Sequence, residues 1–253
     1  MSVSILMITA LAFLFSFPSA SVPLVSKILS DSHCSTLSYY TPNQSSSNSI
    51  ALIDSLSTQL PNPGFEQSTK ASAQKAGYAF DYYPANATTV DFFLNLPRMN
   101  YKIVILRTHG GMAFLTTSEL YSQQRMVMDQ LLDRVGAVDV NGTVYFGLYP
   151  KSVTELMCGR FNGTLILAMG CGASGTVDLA NAFIGMGARG LIGWDNRVTI
   201  SRSDSAYQVV IQNLLEHESI ASSVRSASLE VGSDPVYGAS LHYYPEIQGQ
   251  FSL

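Results

Sequence analysis

The sequence predicts an α/β fold with a largely parallel sheet, and three observations predict it. From residue 49 onward, short β-rich apolar runs alternate with amphipathic stretches, the order that a βαβ chain requires. Two of the runs, 102–108 (KIVILRT) and 164–169 (TLILAM), are almost wholly apolar, as strands buried on both faces must be. Glycine and proline fall between the runs, where helices open and close.

The elements follow in order. Residues 50–56 (IALIDSL) read as a first strand, after which Asn62-Pro63-Gly64 opens a helix reaching about residue 76, with Gly77 as its cap. Residues 78–83 read as a second strand. Thr88 to Asp91 cap a short helix through Phe92, Phe93 and Leu96, and 102–108 is the third strand. Residues 110–160 are less regular: a polar loop at 118–124, a hairpin over 138–148 around Asn141-Gly142, and a short helix over 152–158. Residues 164–169 then read as a fourth strand, 175–186 as a helix and 188–193 as a fifth strand. Two amphipathic helices, 203–217 and 219–231, precede a tail rich in tyrosine. No repeat of 20 to 50 residues is present, which excludes solenoids and propellers.

Composition excludes several classes. A chain of 253 residues that is 47% hydrophobic with a net charge of −4 is too apolar and too weakly charged for intrinsic disorder. It also lacks the basic stripe of a nucleic-acid binder. Three cysteines cannot make a disulfide-dense scaffold, and an odd number leaves at least one thiol free. No Cys/His spacing suggests zinc, so no metal and no cofactor is expected; His33, His217 and His242 read as structural or exposed.

Residues 5–25 carry no charged side chain and begin ILMITALAFLF, which reads as an export signal, a retained membrane anchor or a buried core helix. Small residues at Ser19-Ala20-Ser21 suit cleavage, whereas a basic stretch ahead of the apolar run is missing. The first two readings put the bulk of the chain outside the cytoplasm, secreted or at the cell surface, and in contact with a membrane only through this segment. The domain organisation is then 1–25 signal or anchor, 26–48 polar stalk, and 49–253 folded domain. Sequons at Asn43, Asn86, Asn141 and Asn162 fit an exported surface, a weak signal in a chain rich in serine and threonine. In an oxidising compartment Cys34 and Cys158 are candidates for a disulfide that would tie the stalk to the domain, against which Cys34 stands in a segment that reads as mobile.

Ligands of open α/β sheets bind beyond the C-terminal ends of the strands, and two such ends carry reactive side chains. The third strand finishes in Thr108-His109-Gly110-Gly111, and the fourth in Met169-Gly170-Cys171-Gly172-Ala173-Ser174-Gly175. Each alone has a plain structural reading, a hydrogen-bonded edge histidine and a small buried hydrophobe. Together they have the logic of nucleophile and base. With a helix opening at about residue 175, Cys171 is also expected at the positive end of that helix, where a thiolate is favoured. A rival reading takes Gly170 to Gly175 as a G-x-G-x-x-G dinucleotide motif with Asp195 about 20 residues on. It places that motif after three strands rather than in the first βα turn, and it leaves His109 unused. A flavodoxin-like phosphate site at the same turn is a third reading.

Strand-His-Gly, then some 60 residues, then strand-Gly-Cys-x-x-x-Gly, resembles the caspase-fold (clan CD) cysteine peptidases, most closely the CHAT and separase-like branch. The likeness continues through 165–175, LANAF at 179–183, GARGLIG at 187–193 and the closing helix pair with 222–229, and it is weak over 112–160. It implies a caspase-like three-layer α/β/α sandwich and an endopeptidase acting on a peptide or protein substrate. It further implies Cys171 as nucleophile, His109 as acid and base, and the backbone N–H groups of Gly110 and Cys171 as oxyanion donors. By analogy with Arg-specific relatives, Asp195 beside Trp194 would floor a pocket for a basic side chain; the plain alternative is a turn cap. A catalytically silent caspase-fold binding module is the alternative function.

Overall fold

The structure, a computed structural model, describes residue 34 and residues 48–253. The apolar segment, nearly all of the stalk, His33 and the Asn43 sequon lie outside the described residues. In chain order the elements are β1 (Ser49–Asp54), α1 (Pro63–Lys75), β2 (Ala79–Pro84), α2 (Val90–Asn95), β3 (Ile103–Arg107), β4 (Gly110–Gly111), β5 (Phe114–Leu120), α3 (Val127–Leu131), β6 (Val135–Val140), β7 (Thr143–Leu148), α4 (Pro150–Glu155), β8 (Leu165–Ala168), α5 (Asp178–Gly185), β9 (Gly190–Trp194), α6 (Ile200–Leu215), α7 (Ile220–Glu230) and β10 (Leu241–Tyr244).

Local chemistry sets the ends of these elements. Asn62 caps α1 by accepting the Phe65 N–H at 3.0 Å, Pro63 supplies a first helical residue with no N–H to satisfy, and Gly77 follows with φ +81°. Thr89, not Thr88, caps α2, because the buried Thr88 hydroxyl is engaged with Ser55 at 2.9 Å.

Among the described residues, six strands form a sheet in the order β10-β9-β8-β3-β1-β2, parallel throughout except for the antiparallel edge strand β10. Alternation along the strands sorts the core into two halves. Ile50, Leu52, Ile103, Ile105, Leu165 and Leu167 pack with α1, α6 and α7. Ala51, Ile53, Val104, Leu106, Ile166 and Ala168 pack with α2, α4 and α5 on the opposite face. Helices thus cover both faces, an arrangement compatible with a three-layer sandwich. Each fully buried Ile or Leu contributes about 1.5–3 kcal/mol.

Residues 110–148 depart from expectation. Beyond the anticipated β6–β7 hairpin they form a second, antiparallel sheet, β4-β5-β7-β6, inserted between β3 and β8. β5 (FLTTSEL) reads as polar and becomes a strand only because β7 pairs with it and buries Leu115, Thr116 and Thr117. α3 buries none of its residues. β10 was hidden in the tyrosine-rich tail, and it pairs with β9 from Leu241↔Trp194 to Tyr244↔Leu191. A disulfide joins Cys34 to Cys158 with their Cα atoms 5.6 Å apart, and Arg98 Nη1 donates to the Cys34 carbonyl at 3.0 Å. No helix among the described residues is long and apolar enough to cross a membrane.

Candidate active site

Strand register brings His109 and Cys171 together. β3 and β8 are adjacent and parallel, paired from Ile103↔Leu165 to Leu106↔Ala168, and the Met169 N–H donating to the Leu106 carbonyl at 3.0 Å carries the ladder onward. The same register continued three residues sets His109 opposite Cys171, across neighbouring strands that run about 4.8 Å apart. Cys171 packs against the side covered by α1 and α6, and His109 and Cys171 line the same two cavities. The order of the sheet reverses one strand away, at β1, with β2 on one side of it and β3 on the other, so the β1–β3 boundary next to His109 is where loops diverge to leave a crevice.

Close backbone approach makes the two turns glycine-rich. A Cβ on Gly170 would lie 2.9 Å from the Thr108 carbonyl oxygen, and one on Gly110 would lie 3.2 Å from the Cys171 carbonyl oxygen. Gly175 is as confined, 2.6 Å from the Asp195 carbonyl oxygen. The approach that these glycines permit is to the chain's own backbone, which weighs against a pyrophosphate in the same turn. Gly172 N–H donates to the Asn196 carbonyl (2.9 Å), Ser174 N–H to the Trp194 carbonyl (3.0 Å), and Thr176 Oγ1 to the Met112 carbonyl (2.8 Å), pinning the turn from both sides.

The helix expected at residue 175 begins at Asp178, seven residues beyond Cys171. Macrodipole influence fades within the first helical turn, so Cys171 does not stand at the N-terminus of α5, and that expectation is corrected. Backbone polarity comes from another element. The Val198 N–H donates to Cys171 Sγ at 3.5 Å, and the thiol faces the Val198 carbonyl at 3.6 Å. Among the described residues no hydrogen bond joins Cys171 to His109. Cys171 is half-buried, packed against the α1/α6 side of the core.

Gln59, in the loop after β1, contacts His109 Nε2 through Oε1 at 3.1 Å, and its Nε2 donates to the Tyr145 hydroxyl on β7 at 2.7 Å. With the carboxamide oriented in that way, Nε2 of the neutral ring is the protonated nitrogen and Nδ1 is free to accept a proton. Burial pushes the imidazole below its ordinary pKa of about 6.5, so the neutral form dominates at pH 7.

Behind this pair lies a buried ion cluster. Arg107, 1% exposed, donates to Asp54 Oδ1 (2.9 Å), to both carboxylate oxygens of Asp204 (2.9 Å each) and to the Leu60 carbonyl (2.9 Å). Asn62 adds a bond to Asp204 at 2.8 Å. The cluster anchors the 55–62 loop, and with it Gln59, over His109. Burial raises the Asp54 pKa against the lowering effect of Arg107.

A cleft of about 640 Å³ contains both residues, with Gly110, Asn196, Arg197 and the β6–β7 hairpin at Val138 to Asn141 in its walls. A second cavity of about 170 Å³ also touches both. A third, of about 660 Å³ between α4 and α5, is reached by neither. Asp195 and Trp194 line neither of the two that the pair shares. The Asp195 carboxylate accepts the Ser240 N–H at 2.8 Å and lies 3.2 Å from His242 Nε2, at the β10 edge. Trp194 is buried, its Nε1 donating to Ser203 Oγ at 3.0 Å. Sequence reasoning missed Gln59, Val198 and Arg197, loop residues with no periodic signature. It also passed over Arg107, whose signal was available: a lone charge within an apolar central strand.

No family model matches this chain, and no curated protein matches it.

Proposed function

We propose that this protein is a cysteine endopeptidase of caspase-like fold that uses a His109–Cys171 dyad. The observation that supports the reading is that the adjacent parallel strands β3 and β8 lead into His109 and Cys171, a neutral imidazole and a half-buried free thiol that line the same two cavities. In the proposed step His109 Nδ1 takes the Cys171 thiol proton as Sγ bonds to the scissile carbonyl carbon. The C–N bond then breaks, the proton passes to the leaving amine, and a thioester remains. Water activated by His109 attacks the thioester, releasing the acid and restoring the thiol. The N–H groups of Gly110 and Cys171 are proposed as oxyanion donors; such a donor contributes about 3–4 kcal/mol. The exported location and the caspase-fold relationship belong to the same proposal.

A second reading, a catalytically silent binding module of the same fold, is favoured by one observation: the thiol is hydrogen-bonded to Val198 and not to His109. Labelling with iodoacetamide or an acyloxymethyl-ketone peptide between pH 6 and 8 separates the two. The peptidase reading expects Cys171 to react faster than a model thiol and His109→Ala to slow it by about 100-fold or more. Reaction at the model rate, unchanged by His109→Ala, defeats it.

A further inference from the structure

The cavity of about 170 Å³ lies where the loops after β1, β3, β8 and β9 converge, and the hairpin that walls the larger cleft does not line it. Its apolar lining is Leu56 and Leu60 from the loop after β1, Met169 from the end of β8, and Val198 and Ile200 from the entry to α6. No charged side chain lines it. Besides the neutral His109 ring and the Cys171 thiol, its polar side-chain groups are two hydroxyls. That of Ser203 donates to the Met169 carbonyl (2.9 Å) and accepts from Trp194, while that of Thr108 is buried with no partner among the described residues.

The ionised residues next to the lining are committed elsewhere. Arg107, beside Thr108, and Asp204, beside Ser203, are bonded to each other, and Asp54 completes that cluster. Asp195, the one acid expected to attract a basic side chain, faces Ser240 and His242. A charged substrate side chain entering this cavity would lose its water and find no counter-charge, a severe penalty in a weakly polarisable site. A neutral apolar one would meet matching walls, and the space is comparable to apolar cavities of about 150 Å³ that accept benzene.

Resting on the peptidase reading, we propose that this cavity receives the side chain on the N-terminal side of the scissile bond (P1), and that it selects an uncharged, apolar residue of leucine to phenylalanine size. Lysine, arginine, aspartate and glutamate are excluded. The open cleft with Arg197 and the hairpin takes the rest of the substrate.

The test uses the full chain and internally quenched peptides that differ only at P1, beside fluorescence-anisotropy binding of the same peptides to Cys171→Ala. Cleavage with kcat/KM at least about 100-fold higher for Leu or Phe than for Arg or Asp is the expected result, given that even one methylene is worth about 10- to 200-fold in an apolar pocket. Leu60→Glu, at a position 40% exposed and therefore tolerant of change, is expected to move the preference toward Arg and Lys by at least tenfold while the thermal unfolding midpoint stays near that of the parent. Cleavage that favours a charged P1 overturns the pocket assignment and leaves the peptidase reading standing. Absence of cleavage with Leu- or Phe-selective binding to Cys171→Ala keeps the apolar subsite and overturns the chemistry. Absence of both overturns both.

Discussion

The two sheets of this molecule solve different problems with different residues. The six-stranded sheet buries β1, β3, β8 and β9 on both faces, and every residue of those strands is buried. The inserted four-stranded sheet keeps one face open: β6 alternates between inward and outward residues, and Val144 on β7 is 37% exposed. Each carries an arginine between two carboxylates. Arg107 sits in the first sheet with 1% of its side chain exposed; Arg134, beside β6, pairs with Asp129 at 3.1 Å and Glu155 at 2.8 Å with 14% exposed, and Glu155 is 43% exposed. The same ion-pair motif is therefore structural in one sheet and marginal in the other. A buried platform carries His109 and Cys171, and the more open sheet walls the cleft beside them.

The strongest way to break that comparison is to remove each arginine. Arg107→Met leaves Asp54 and Asp204 buried without a partner and is expected to cost about 3–5 kcal/mol in urea unfolding, whereas Arg134→Met is expected to cost under about 1 kcal/mol. Equal losses would erase the distinction. Next in size is the tether at the far end of the insertion. Cys34→Ser opens a link spanning 124 residues and is expected to lower stability by about 2–4 kcal/mol under non-reducing conditions, with no change in the parent's reduced form.

Glycines sharpen the contrast further. Gly170→Ala forces a Cβ to within 2.9 Å of the Thr108 carbonyl, at an expected cost of about 1–3 kcal/mol and with slower Cys171 labelling. Gly142→Ala, at the hairpin tip with φ +84° and open space around it, is expected to cost roughly 1–2 kcal/mol through conformation alone and to leave labelling unchanged. Slowed labelling in both would mean that the hairpin does more than wall the cleft.

The smallest effect concerns Gln59, which bridges the sheets. Gln59→Leu frees the imidazole to take either tautomer and is expected to slow labelling by about 2- to 10-fold, the worth of one hydrogen bond. The acid limb of the labelling rate is expected below pH 6.5, because burial holds the His109 pKa down. Stability linked to His109 has the same sign. It is intact above pH 6.5 and declines as the pH falls below that, since the unfolded chain takes up the proton first. An acid limb above 6.5 would contradict the burial of the ring.

How much was legible follows the same division. The parallel strands announced themselves as apolar runs because a strand buried on both faces tolerates little else, and His109 and Cys171 were visible because each stands among glycines at the end of such a run. β5 and β10 were not visible, since Thr, Ser, His and Tyr become strand residues only when a neighbour supplies hydrogen bonds. The start of α5 was misplaced because Gly175 and Thr176 are held by contacts to Asp195 and Met112, not by helical bonds. For Asp195 the resemblance implied a pocket and the local sequence a turn cap, and β10, distant in sequence, draws its carboxylate to Ser240 and His242 instead.

By itself the sequence determined the α/β class, the two reactive strand ends and the odd thiol, because periodicity and glycine placement are local properties of the chain. Only the tertiary structure decided which strands lie side by side, and hence that His109 opposes Cys171, that Val198 holds the sulfur and Gln59 the imidazole, and that the small cavity beside them is uncharged. Those outcomes depend on residues dozens of positions apart meeting across a sheet, and on acids and bases neutralising one another in the interior, which no local pattern encodes.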